Sequence, residues 1–427
     1  MGSEKSSANV EAGSSKNWVV ASTVFGSIVE WYDFYIYGTA AALVFGKLFF
    51  PTSDPFVATI AALLTFAVGL FARPFGAVLF GHFGDRIGRK SVMLFTMILM
   101  GVPTVLIGCL PTYATVGVWA PVMLVTLRIV QGLALGGEWG GAVLMAVEHA
   151  PGHRKSVFGS LPQMGVPAGV LLSAGVFALV TRMPEADFLE WGWRLPFLIS
   201  SILIGFAIFV RMRIQESPEF ELARKEERIE RIPIVAVLKR NMPAVALAAG
   251  AKLGEVTLFF LTTVYLVSYC TGKLGLPRDF VLGLVVSGAA LALVNMPIAG
   301  WLGDRFGARR IYVLGAVLLA IVSFPMFFLL ETKAPVAMAV AFIVPIGFVF
   351  PLMFGPQPSL YSKQFPAELR YSGMSLGVSL ASAAGGGLAP VIATTLVQSS
   401  GNSLQVGYYM AGMALVSAVS AYMMKRA

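Results

Sequence analysis

Twelve apolar stretches, separated by short charged or glycine- and proline-containing segments, run the length of the chain, near residues 18–45, 57–80, 91–110, 120–146, 156–180, 193–212, 243–268, 279–302, 311–330, 335–360, 372–397 and 404–424. A helix rises about 1.5 Å per residue, so roughly 20 such residues cross a hydrocarbon core of about 30 Å. The pattern predicts an all-α membrane protein of twelve transmembrane helices. An even number places both termini on one side.

The polar segments repeat. Gly81-His-Phe-Gly-Asp-Arg-Ile-Gly-Arg-Lys90 between stretches 2 and 3 is answered 219 residues later by Gly300-Trp-Leu-Gly-Asp-Arg-Phe-Gly-Ala-Arg-Arg310, and Glu148 to Arg154 after stretch 4 by Phe365 to Arg370 after stretch 10. Such self-similarity predicts two pseudo-symmetric six-helix bundles. The expected division is a disordered tail over residues 1–17, an N-terminal bundle over 18–214, a linker over 215–241 with a short surface helix in Glu221–Arg231, and a C-terminal bundle over 242–427.

Composition agrees, with 57% hydrophobic and 12% charged residues against about 25% charged in soluble domains. The net charge of +9 could suggest nucleic acid, but the basic residues sit between apolar stretches rather than along one face. Of 31 Lys and Arg, 22 fall on the side of the termini, Arg211 among them, six on the other side, and three within the stretches. The positive-inside rule makes the termini cytoplasmic. Cys109 and Cys270 lie in different halves, which argues against a disulfide or metal site.

The duplicated loop resembles that of the major facilitator superfamily. Within it, Glu30-Trp-Tyr-Asp-Phe34, Arg128-Ile-Val-Gln-Gly132, Gly136-Gly-Glu-Trp-Gly-Gly141, Trp191-Gly-Trp-Arg-Leu-Pro196 and Glu216-Ser-Pro-Glu-Phe220 are similar to the metabolite:proton symporter family. The resemblance covers about residues 18 to 424. It implies the major facilitator fold, a bacterial cytoplasmic membrane, and spans 1, 4, 7 and 10 around a central cavity.

Seven ionisable residues fall inside stretches: Glu30, Asp33, Arg73, Arg128, Glu138, Lys252 and Glu255. Charge in a bilayer costs several kcal/mol, so each is a functional candidate with a partner to find. Four acids against three bases leave one acid suited to a proton. Asp33 plus 219 is Lys252, so spans 1 and 7 carry opposite charges at equivalent places. The resemblance implies that Asp33 trades a salt bridge to Arg128 for a proton, with Glu30 the rival carrier. The alternative is a permanent Asp33–Arg128 pair that orients two helices. Arg73 is expected to pair with Glu138, or to snorkel or hold substrate. Lys252 and Glu255 either bind substrate or neutralise each other. Gln131, Tyr37 and Gln357, the last in a proline-bent span 10, complete the candidate substrate set.

Gly81, Asp85, Arg86, Gly88, Arg89 and Lys90, with Glu138, Glu148, Arg154, Asp304, Arg305 and Arg370, are read as gate residues. Asp85 should meet the start of span 11, and Arg89 or Lys90 should meet Glu148. Ala308 replaces Arg89 in the second copy, which predicts a stronger N-terminal latch. The reading is a proton-coupled symporter importing a small organic acid by alternating access, a shikimate-like carboxylate first, with dicarboxylate, citrate or betaine/proline-type solutes as alternatives. A non-transporting sensor, a channel and an enzyme rank lower. No cofactor beyond the proton gradient is expected; the partners are a small organic anion, a proton and lipid, with no nucleic acid and a monomeric state.

Overall fold

The structure, a computed structural model, describes residues 18–51, 57, 58, 61, 62, 64–217, 219–226 and 233–425. The tail over 1–17 and residues 227–232 of the linker lie outside the described residues. Eleven helices are long and apolar enough to cross a membrane. The N-terminal helix, whose apolar stretch is diluted by Glu30 and Asp33, is the twelfth.

Span 1 is the described part, from Trp18, of the helix Gly2–Ala40, continued through a wide π-helical turn, Ala41–Phe45, to Phe49. Spans 2 to 4 are Pro55–Ile87, Arg89–Cys109 and Trp119–Glu148. Span 5 is Lys155–Gln163 followed by Gly165–Val180, and span 6 is Leu195–Met212. Span 7 is Met242–Phe260, again continued through a π-helical turn, Leu261–Tyr265, to Gly272. Spans 8 and 9 are Arg278–Phe306 and Ala308–Glu331. Span 10 runs from Pro335 to Ser362, span 11 from Arg370 to Ser400, and span 12 is Leu404–Met423.

The wide turns of spans 1 and 7 start 220 residues apart, so the repeat seen in the loops extends to backbone geometry. Prolines bend span 10 as expected: a π-helical turn opens at Pro345, and the helix breaks again at Gly355 and Pro356 before Gln357–Ser362. The halves meet in a symmetric manner, span 2 against span 11 and span 8 against span 5.

Glycine sets the closest crossing. A Cβ on Gly76 would lie 1.8 Å from the Leu133 carbonyl oxygen, and one on Gly136 2.2 Å from that of Arg73. Spans 2 and 4 therefore touch backbone to backbone, which carries Arg73 and Glu138 inward. The linker helix is Pro218–Lys225, capped by the Ser217 hydroxyl accepting from the Phe220 N–H, with proline in its first turn, acids at its start and Arg224 and Lys225 at its end. It overlaps the expected surface helix, Glu221–Arg231, over Glu221–Lys225, but starts three residues earlier and is capped at Glu226.

Candidate functional site

At the linker end the two copies of the repeated loop do the same thing to opposite halves. Asp85 accepts from the N–H groups of Tyr371 (3.2 Å) and Ser372 (2.8 Å) at the start of span 11. Asp304 accepts from Ser156 (2.7 Å) and Val157 (2.9 Å) at the start of span 5. Each is an anion on the unsatisfied amides of a helix N-terminus. Gly88 (φ 114°) and Gly307 (φ 97°) make the turns that bring the loops there, a backbone conformation that disfavours a side chain. Gly81 packs on the Ser372 backbone and Gly300 on span 5.

The copies then diverge. Arg89 is fully buried; it lies 3.6 Å from Glu148 and 3.9 Å from Asp85 and donates to the Ala367 carbonyl at 2.9 Å. Its counterpart Ala308 can do none of this. Glu148 also takes Arg370 at 2.9 Å and the Ser217 hydroxyl. Lys90 does not reach Glu148 and donates instead to the Met212 carbonyl. Arg86, Arg154 and Arg305 are exposed, and Arg305 lies over the rings of Trp301 and Phe306.

The linker supplies residues that the sequence did not single out as gate groups. Glu216 accepts from the N–H groups of Arg89 and Lys90, Phe220 lies under the Arg89 guanidinium, and Glu219 pairs with both Arg370 and Lys155. Burial pushes the Glu219 carboxyl up, but Arg370 and Lys155 together outweigh it and hold it below its ordinary value.

Two expected pairs inside the bundle do not form. Glu138 pairs not with Arg73 but with Arg211, and also accepts from Thr96 at 2.7 Å. Arg211, counted as a loop charge, is buried and donates to the Met93 carbonyl at 2.6 Å. Its spacing shows why: Ser200, Ile204, Ala207 and Arg211 form one buried helical face.

Asp33 likewise makes no ion pair with Arg128. Its carboxylate accepts from Ser200 (2.6 Å) and Thr104 (2.9 Å) on spans 6 and 3. Arg128 donates to Gln131 at 3.3 Å, and its guanidinium lies 4.2 Å from the Tyr37 ring centroid, 5.0 Å from Phe66 and 5.2 Å from Phe34. Its Nε and Nη2 are buried without a hydrogen-bond partner among the described residues. Tyr37 itself donates to Thr65. Hydroxyls such as Thr104 and Ser200 carry no sequence signal beyond lying on apolar helix faces.

In the centre, Lys252 pairs with Glu255, and Gln357 of span 10 touches both, accepting from Lys252 at 3.4 Å and donating to Glu255 at 3.3 Å. Lys252 also lies over the rings of Trp139 and Phe354. Arg73 is buried, attracted by Glu30 of one half and Glu255 of the other, with its Nε unpartnered. Both oxygens of Glu30 are buried and without a hydrogen-bond partner among the described residues.

One turn beyond Lys252 and Glu255, away from the linker end, rings join the halves: Trp31 with Phe259 at 6.0 Å, Phe34 with Phe260 at 6.2 Å and Phe66 with Phe260 at 6.4 Å. The polar centre thus sits between an aromatic seal and the loop latch. A cavity of about 230 Å³ lined by Lys47 and Glu185 lies elsewhere, at the opposite end of the N-terminal half, and holds none of these charges.

Comparison with known proteins places this architecture. The chain is 41% identical over 406 residues to the shikimate transporter of Escherichia coli, covering 94% of this chain and 92% of that one. It is 40% identical to the inner membrane metabolite transport protein YhjE of the same organism over 94% and 92%, and 31% identical to its proline/betaine transporter over 95% and 83%. The fold matches the proton:xylose symporter XylE with a TM-score of 0.77 at 16% identity, covering 97% of each chain. With residues 23–390 also matching the Major Facilitator Superfamily model, this twelve-span chain is a multi-pass membrane transporter belonging to that superfamily.

Proposed function

We propose that the protein is a proton-coupled symporter that imports a small hydroxylated organic acid, shikimate-like in class, by alternating access, with its linker end in the cytoplasm. The observation that carries this reading is Arg128: a buried guanidinium with no acidic partner and two unpartnered nitrogens, on a floor of three aromatic rings. A buried unpaired cation costs several kcal/mol. A substrate carboxylate supplies the missing acceptor and the rings pack a cyclic body.

Gln357, Glu255 and Lys252 offer donors and acceptors for hydroxyl groups from the other half, and Arg73 offers a second cation. Asp33, held by two hydroxyls, is the proton site; Glu30 is the competing carboxylate. Opening toward the outside parts the aromatic seal, and opening toward the cytoplasm releases Asp85 and Asp304 from the helix ends they cap.

The inter-half rings also favour a second reading, a betaine-type zwitterion whose ammonium is held by cation–π attraction and whose carboxylate takes Arg128. The test is thermal unfolding of the purified protein with shikimate, dicarboxylates, citrate and glycine betaine at two pH values, followed by uptake into proteoliposomes under a pH gradient. Stabilisation by a hydroxylated monocarboxylate, with uptake driven by the gradient, is expected. Stabilisation by betaine alone moves the assignment to the second reading, and uptake insensitive to the gradient removes the proton.

A further inference from the structure

Four buried side chains on three helices form one line of hydrogen bonds. Arg128 donates to the Gln131 oxygen at 3.3 Å, the Gln131 amide donates to Thr104 at 2.8 Å, and the Thr104 hydroxyl donates to Asp33 at 2.9 Å. We propose that Thr104 and Gln131 are the positioning residues that link Asp33 to Arg128, so that proton site and anion site communicate through a relay rather than a salt bridge. The inference rests on the roles given above to Asp33 and Arg128.

Every donor in the line points from the cation toward the carboxylate. Bonds oriented this way polarise one another, so the strength of the last depends on the charge at the first. Each end of the Gln131 amide makes one bond in the line, so it spans the gap between Arg128 and Thr104. When Asp33 takes a proton it changes from acceptor to donor. Thr104 has a second acceptor ready, the Met100 carbonyl at 3.0 Å, and turns its hydrogen there while accepting from Asp33. The carboxylate end of the line then carries no charge, and Arg128 is left with a weaker partner as its Nε and Nη2 await an anion.

Among the described residues no other charged group competes at Asp33, and spans 3 and 6 present hydroxyls to it. On span 1, Tyr32 donates to the Pro196 carbonyl, and the charged neighbours of Glu30 are Glu138, Arg73 and Arg211. Span 5 has no titratable side chain over Gly165–Val180.

The test needs no substrate. Protonation of Asp33 is followed in the full chain by infrared absorption of the carboxyl C=O, with Asp33→Asn as the reference. Arg128→Met, which removes the charge, should move the midpoint by about 0.5 to 2 pH units, the span of coupling energies for residues in one network. In a Gln131→Leu or a Thr104→Val background the same change should move it by much less, and Thr104→Ser should restore the shift. Coupling that survives Gln131→Leu and Thr104→Val shows direct electrostatics and overturns the relay, as does no coupling in the parent. A failed ligand screen would remove the substrate reading and leave this result standing.

Discussion

Replacing Asp85 by asparagine weakens one helix cap of the latch and also removes the carboxylate 3.9 Å from Arg89. Its two oxygens are buried and accept from two backbone N–H groups, those of Tyr371 and Ser372. Asparagine keeps one acceptor and points an NH₂ at the other donor. The change removes one charge-assisted bond, about 1.5–3 kcal/mol, and the attraction of a carboxylate to a helix N-terminus, about 0.3–1 kcal/mol. Together, about 2–4 kcal/mol is lost from the latched arrangement alone, roughly a 30- to 700-fold shift toward opening at about 1.4 kcal/mol per tenfold. Asp304 has the same geometry but is only half-buried, so water replaces part of the loss; about 0.5–1.5 kcal/mol corresponds to roughly a two- to tenfold shift. The reporter is Ser375→Cys, a buried span 11 position beside Gly140, in a background lacking Cys109 and Cys270. Its maleimide labelling rate in detergent follows the open fraction. Faster labelling in Asp85→Asn than in Asp304→Asn is expected. If Asp304→Asn accelerates labelling equally or more, the ranking of the two loops is wrong.

The same reporter reads the linker. Glu219→Gln frees Lys155 and leaves Arg370 with Glu148 alone, and for partly exposed pairs worth about 1 kcal/mol labelling should rise roughly fivefold, with the gain shrinking as salt is added. Because the Glu219 carboxyl is held below its ordinary value of 4.5, its contribution is complete above that pH and is lost as pH falls through the lowered value. Labelling of the parent should therefore be flat with pH near neutrality, where Glu219→Gln has its full effect, and should rise only in acid, where parent and Glu219→Gln converge; a pH step near 7 that Glu219→Gln abolishes would contradict the assignment. Arg211→Met or Glu138→Gln alone strands a buried charge and should cost about 3–5 kcal/mol in thermal unfolding, whereas the double substitution should recover part of the loss. Arg128→Lys should weaken organic-acid binding about 10- to 100-fold by calorimetry, since an ammonium cannot reproduce a two-pronged guanidinium grip; unchanged affinity removes Arg128 from the clamp.

The apolar periodicity, the repeated loops and the basic asymmetry determined the spans and their arrangement in two halves, because bilayer insertion is dictated locally by each segment's own hydrophobicity. The contact of Asp85 with the start of span 11 was legible for a related reason: a repeated acid in a short loop between helices has few helix ends to reach. Lys252 with Glu255 and Arg89 with Glu148 were among the pairings the sequence offered, but the partners of Glu138 and Asp33 across the bundle were not legible. Glu138 meets Arg211 instead of Arg73, and Asp33 meets Thr104 and Ser200 instead of Arg128. Such partners are chosen by the rotation and depth of helices packed through glycine contacts such as Gly76 on Leu133, and a rotation of one residue, about 100°, redirects a side chain to another neighbour. Spacing along one helix places two charges on a common face; only the packing of six helices decides which hydroxyl or guanidinium that face meets.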